Sequence, residues 1–174
     1  MAKEHKLSIG ALAPAFELES TSGKKVSLAS LKGKKVVLYF YPRDDTPGCT
    51  REACGFRDEF AAVKKAGAVV LGVSKDSLAS HAKFRAKYEL PFELLADPDN
   101  ALAKSYGAFG KKIMYGKEVT GTIRSTFLID ESGKLAAIWA PVKVDGHVEK
   151  VLAAVRGESA PAPRPAAKKA KKSS

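Results

Sequence analysis

Residues 36–60, VVLYFYPRDDTPGCTREACGFRDEF, run from an apolar stretch through a turn into a segment that carries both cysteines of the chain. VVLYFY is β-branched and aromatic throughout, the pattern of a strand covered on both faces. Pro42 ends it. Thr46, Pro47 and Gly48 supply a capping hydroxyl, a fixed φ suited to a first helical position and room for close backbone approach. A helix is therefore predicted to start near residue 47. Cys49 then falls in its first turn, facing unpaired N–H groups and the positive end of the helix dipole, which favour thiolate over thiol. Cys49 is thus a candidate nucleophile, set against the plainer reading of a small buried hydrophobe.

Cys54, the second cysteine, follows in the pattern C-x4-C. Five helical residues rotate the chain by about 500° and advance it about 7.5 Å, so the two side chains point apart while the helix is intact. A disulfide needs Cα atoms within about 7 Å, so one between them requires the first turns to unwind. Gly55 helps, weakening a helix interior by about 1 kcal/mol relative to alanine. A metal site is the competing reading, but two cysteines without an adjacent histidine supply half a tetrahedral set. The spacing also differs from the C-x-x-C of a dithiol oxidoreductase.

Pro42, Thr46 and Cys49 reproduce the P-x-x-x-T-x-x-C pattern of peroxiredoxins, and DDTPGCTREACGFRD resembles the Q-type, or bacterioferritin comigratory protein, branch. The resemblance extends over about residues 7–156, through GALAPAFELES, HAKFRAKYELPFELLADP and KKIMYGKEVTGTIRSTFLID. It implies a thioredoxin-like α/β fold, a central mixed sheet flanked by helices. It also implies that Cys49 is the peroxidatic cysteine, that Cys54 is the resolving one, and that Pro42 shields the sulfur. RSTFLID resembles the family segment whose arginine contacts the catalytic thiolate, which assigns that role to Arg124. Thr46 presents a hydroxyl beside the sulfur. Glu52 is a further candidate for orienting Arg124 or Arg51, although a first-turn acid is equally well explained by the helix dipole.

The expected chemistry is reduction of hydrogen peroxide and organic hydroperoxides through a sulfenic acid and a Cys49–Cys54 disulfide, reduced in turn by thioredoxin or a similar dithiol. No metal or organic cofactor is needed. An internal resolving cysteine makes a monomer sufficient. Two other classes remain, a thiol-disulfide oxidoreductase without peroxidase activity and a nucleic-acid-binding protein.

At 174 residues, one domain is the natural size, with a core that needs no disulfide staples. MAKEHKLSIG has no apolar leader segment and no run approaches a membrane span, so a cytoplasmic chain is expected, with no membrane partner. The net charge is +11, of which residues 158–174, ESAPAPRPAAKKAKKSS, carry +4. This tail is too poor in large apolar groups to pack and is expected to be disordered, leaving residues 1–157 as the domain. Elsewhere the lysines fall in scattered pairs at 24–25, 34–35, 64–65 and 111–112, which reads as a solvated basic surface. Nucleic-acid contact is expected to be no more than weak and nonspecific, through the tail.

Along the chain, PAFELES and VSLASL suggest an N-terminal β-hairpin, and AVVLGVS a strand parallel to VVLYFY. Between the two buried strands, Phe56, Phe60, Ala61 and Val63 are expected to form the core face of one helix. Asp76 or Ser77 caps a helix to about Tyr88, on which His81 reads as a surface residue. FELLAD is a strand, and Pro98 opens a short helix to Tyr106. GAFGKKIMYGKEVTG reads as a connection. STFLID and KLAAIWAPV then pair antiparallel, and GHVEKVLAAVR closes the fold as a helix.

Overall fold

A computed structural model describes residues 8–114 and 116–157; the expected disordered tail, 158–174, lies outside the described residues. A small antiparallel hairpin of β1 (Glu17–Glu19) and β2 (Lys25–Ser27) precedes β3 (Lys35–Phe40). Then follow α1 (Pro47–Asp58), α2 (Phe60–Lys65), β4 (Ala68–Ser74), α3 (Leu78–Tyr88), β5 (Glu93–Ala96) and α4 (Ala101–Ser105). A second hairpin, β6 (Phe109–Met114) and β7 (Lys117–Thr122), leads into β8 (Ser125–Ile129), β9 (Leu135–Trp139) and α5 (His147–Arg156). Five strands make the central sheet in the order β5–β4–β3–β8–β9. β3 pairs parallel with β4 and antiparallel with β8, so the sheet is mixed and β3 lies in its middle.

The alternation of side chains along a strand divides the core. Val37, Tyr39 and Tyr41 point to one face, against Cys49, Ala53 and Phe56 of α1, Val63 of α2 and Val151 and Val155 of α5. Val36, Leu38 and Phe40 point to the other, against Leu102 and Ala103 of α4 and against Tyr106 and Phe127. Each residue from 36 to 41 is at most 1% exposed. At about 2 kcal/mol per fully buried apolar side chain, this single run is among the largest contributors to stability.

Four expectations need correction. The single helix after Cys49 is two, because the chain turns at Glu59 (φ −101°, ψ 8°). That turn resets the phase of α2, so Val63 is buried while Ala61 is exposed. The stretch 107–121 is largely the β6–β7 hairpin, in register from Phe109↔Thr122 to Met114↔Lys117. Its lysines and glycines hide the period-2 signal because most of the hairpin is not buried. α4 starts at Ala101, not at Pro98, and the Asp97 carboxylate accepts from Leu102 N (3.1 Å) and Ala103 N (3.0 Å). His81 is fully buried, not on the surface.

Candidate active site

α1 begins at Pro47, with Thr46 in an extended N-cap conformation and Thr50 N donating the first helical bond to Thr46 O at 2.8 Å. The amides of Gly48 and Cys49 precede that bond, so they are first-turn donors pointing out of the helix start. The Thr46 hydroxyl does not cap the helix; it donates to Arg43 O at 3.1 Å. Cys49 is 1% exposed and Cys54 is half-buried, and both are free thiols on an unbroken α1. Pro42, half-buried, follows directly on β3 and its neighbour Tyr41.

Arg124, immediately before β8, lies against this helix start. Its Nη2 donates to Cys49 Sγ at 3.3 Å and its Nη1 to Glu52 Oε1 at 2.8 Å. The fork of the guanidinium thus bridges a sulfur and a carboxylate one helical turn apart. Gly48 makes room for it, since a Cβ there would sit 3.1 Å from Arg124 Nη2. Burial works against the Arg124 cation, but the negative charges of Cys49 and Glu52 outweigh it and raise its pKa.

Glu52 belongs to the second turn of α1, not the first, and is fully buried. Burial pushes its pKa up to about 7, and the Arg124 charge and hydrogen bond only partly oppose this. Its Oε2 accepts no hydrogen bond among the described residues and lies 3.9 Å from His147 Nε2. His147 opens α5, shares a 2.8 Å hydrogen bond with Thr126 Oγ1, and is held neutral by burial and then by the charges of Lys150 and Arg124, which lower its pKa to about 4. Arg51, the other arginine considered for Glu52, points outward to Asp145 at 2.5 Å. Lys112 of β6 also senses the site: burial and then the Arg124 charge lower its pKa, and Cys49 opposes them.

Beside the turn that holds Pro42 and Thr46 is a second buried polar group. Asp44 Oδ1 accepts from Tyr41 OH at 2.6 Å, and Asp44 Oδ2 accepts from Ser80 Oγ at 2.7 Å and pairs with His81 Nδ1 at 2.8 Å. Asp44 N donates to Asp76 Oδ2 at 2.8 Å, and His81 Nε2 donates to Leu95 O at 2.9 Å. This network ties the loop between β3 and α1 to the turn between β4 and α3, to α3 and to β5.

Residues 9–138 match the model of the AhpC/TSA family. The chain belongs to this peroxiredoxin family. It is 55% identical over 146 residues to the Coxiella burnetii chain that bears the peroxiredoxin bcp name, covering 84% of this chain and 97% of that one. A cysteine-to-serine mutant of Xylella fastidiosa PrxQ superposes with a TM-score of 0.82 at 35% identity, over 88% of this chain and 98% of that one. A Xanthomonas campestris bacterioferritin comigratory protein, in a study of its alkyl peroxide reduction activity, superposes with a TM-score of 0.77 at 42% identity, over 82% and 90%. This peroxiredoxin therefore lies in the Bcp/PrxQ branch, has the thioredoxin fold expected from the sequence and is a thiol-dependent peroxidase, an oxidoreductase. None of its described helices is long and apolar enough to cross a membrane.

Of the residues named from the sequence, the fold sets Arg124 in hydrogen-bond contact with both Cys49 and Glu52 and keeps Thr46 and Pro42 in the adjoining loop. His147, Thr126 and the Asp44–His81 pair have no signal in spacing, since each comes from a separate element. The nearest hint is the histidine in GHVEK, at a helix start beside a buried face.

Proposed function

We propose that Cys49 is the peroxidatic cysteine and Cys54 its resolving partner in the reduction of hydrogen peroxide and organic hydroperoxides. The observation that carries this is the 3.3 Å contact between Arg124 Nη2 and Cys49 Sγ at a helix N-terminus. The thiolate attacks the distal peroxide oxygen, an S–O bond forms and the O–O bond breaks. Cys49 becomes a sulfenic acid, and the departing alkoxide or hydroxide takes a proton from solvent. Negative charge moves from sulfur to the leaving oxygen, so the Arg124 guanidinium and the first-turn amides stabilise it throughout. Pro42 and Thr46 shape the wall of the pocket above the sulfur.

The Cys54 thiolate then displaces hydroxide from the sulfenic sulfur, which leaves as water, and a disulfide forms. Because α1 is intact from Pro47 to Asp58 in the free-thiol state, this step unwinds its first turns. Thioredoxin or a similar dithiol returns both thiols, and the cycle runs within a cytoplasmic monomer without a bound cofactor.

The test counts free thiols after the reduced protein meets one equivalent of hydrogen peroxide. Wild type loses both thiols and gives a monomeric disulfide on a nonreducing gel, Cys54→Ser stops at a sulfenic acid, and Cys49→Ser is inert. If Cys49 reacts no faster than a free thiol, the proposal fails.

A further inference from the structure

Two of the lysine pairs that look scattered in the sequence, 34–35 and 64–65, are brought together by the fold. Lys35 N donates to Gly67 O at 3.1 Å, so the start of β3, with Lys34 and Lys35, abuts the end of α2, with Lys64 and Lys65. α5 ends at the same place: Lys35 Nζ donates to Val155 O at 2.8 Å, and Arg156 lines a shallow groove with Ala62, Lys65 and Ala66. Lys32, Lys34, Lys64, Lys65 and Arg156 are all exposed. The β8–β9 turn, held by Gly33 N to Glu131 O at 3.0 Å, adds Lys134 against Asp130 and Glu131.

Seven cations against two carboxylates leave +5 at this end of the sheet. Residues 158–174, which follow Gly157 in the sequence, carry another +4. Cys49 follows the opposite end of β3, roughly 20 Å away at about 3.3 Å per residue. A partner on the basic end therefore leaves the peroxide site open.

We propose that this end of the molecule is a docking face for a nucleic-acid backbone, contacted through phosphates without base readout. The helices at this end bury Val63, Val151 and Val155 and so present no apolar stripe to a bilayer, while the exposed Ile9 and Leu12, on the segment that bridges Lys134, are two side chains and not a helical face. Clustered Lys and Arg heads suit the sequence-independent, counterion-releasing mode of binding.

Fluorescence anisotropy of a labelled 30-base-pair duplex, titrated with full-length protein from 50 to 200 mM NaCl, tests this. Each lost phosphate contact lowers the steepness of log affinity against log salt by about 0.9. The triple variant Lys34→Gln, Lys64→Gln, Lys65→Gln is expected to flatten that slope by about 2 to 3 and weaken binding at least tenfold, with an unchanged circular dichroism melt. The full-length variant Lys168→Gln, Lys169→Gln, Lys171→Gln, Lys172→Gln is expected to keep measurable binding through the face. The proposal is overturned if wild type does not bind at 50 mM salt, or if the triple variant keeps the wild-type slope, which would place all binding in the tail. Tighter binding to phosphatidylglycerol vesicles than to the duplex would overturn it equally. None of these readouts depends on peroxide reduction, so they stand apart from the roles given to Cys49 and Cys54.

Discussion

Glu52→Gln is expected to make the protein more stable at pH 8 and leave it unchanged near pH 4.5. Burial lifts the carboxyl from its ordinary 4.5 to about 7, with Arg124 offsetting only part of the desolvation. The native state therefore holds this proton more tightly than the unfolded chain does. Stability from the bound proton is fully present below pH about 4.5 and is lost as pH rises through about 7. At about 1.4 kcal/mol for each tenfold change in proton affinity, the loss is about 3 kcal/mol. Glutamine imitates the neutral acid: it keeps an oxygen to accept from Arg124 Nη1, and it puts no charge where Oε2 has no hydrogen-bond donor. Urea unfolding of the reduced proteins between pH 4.5 and 8 should show the variant's advantage growing from near zero to about 3 kcal/mol. His147 works the other way, since a pKa held near 4 removes stability as pH falls below 6.5, but it is common to both proteins. An advantage that is constant across the range, or a wild type more stable at pH 8, would refute the account of Glu52.

Three further outcomes are expected. Arg124→Lys leaves one ammonium to serve both Cys49 Sγ and Glu52 Oε1, so the rate of Cys49 oxidation by peroxide, read by rapid mixing, should drop about 100-fold; a drop below threefold would remove Arg124 from the chemistry. Gly55→Ala places a Cβ 2.9 Å from Val148 Cγ2, and the clash between α1 and α5 should cost about 1–3 kcal/mol despite the better helix former, with Val148→Ala restoring most of it. A stabilised single variant would contradict this. His81→Leu strips a buried partner from Asp44 and should lower unfolding stability by about 3 kcal/mol, whereas a change under 1 kcal/mol would show that the Asp44 network does not hold the active-site loop.

Gly55 shows how a sequence reading can be right locally and incomplete. Its lack of a side chain weakens the helix, as expected, yet the structure supplies a second reason, the close approach of Val148. The same holds for Gly48, whose open flank admits the Arg124 guanidinium. Arg124 would read as a strand-edge charge from its neighbours alone. It is half-buried against the sulfur because β8 pairs with β3, in the register Phe40↔Ser125, and so delivers its first residues to the place where β3 hands over to α1.

What the sequence determined by itself is local: a buried strand, a proline-started helix, a cysteine in its first turn and a second cysteine on the wrong face to bond it. These follow from periodicity, φ restriction and helix geometry over a few residues, and the family motif is written in the same short stretch. Only the tertiary structure decided the rest. Whether Glu52 is a solvated acid or a buried one with its pKa lifted to about 7, whether His81 is a surface residue or the anchor of Asp44, and whether the lysine pairs 34–35 and 64–65 lie apart or together all depend on residues distant in the chain. Desolvation and charge act through space, so the pKa values, the ion pairs and the basic end of the sheet exist only once the strands have paired.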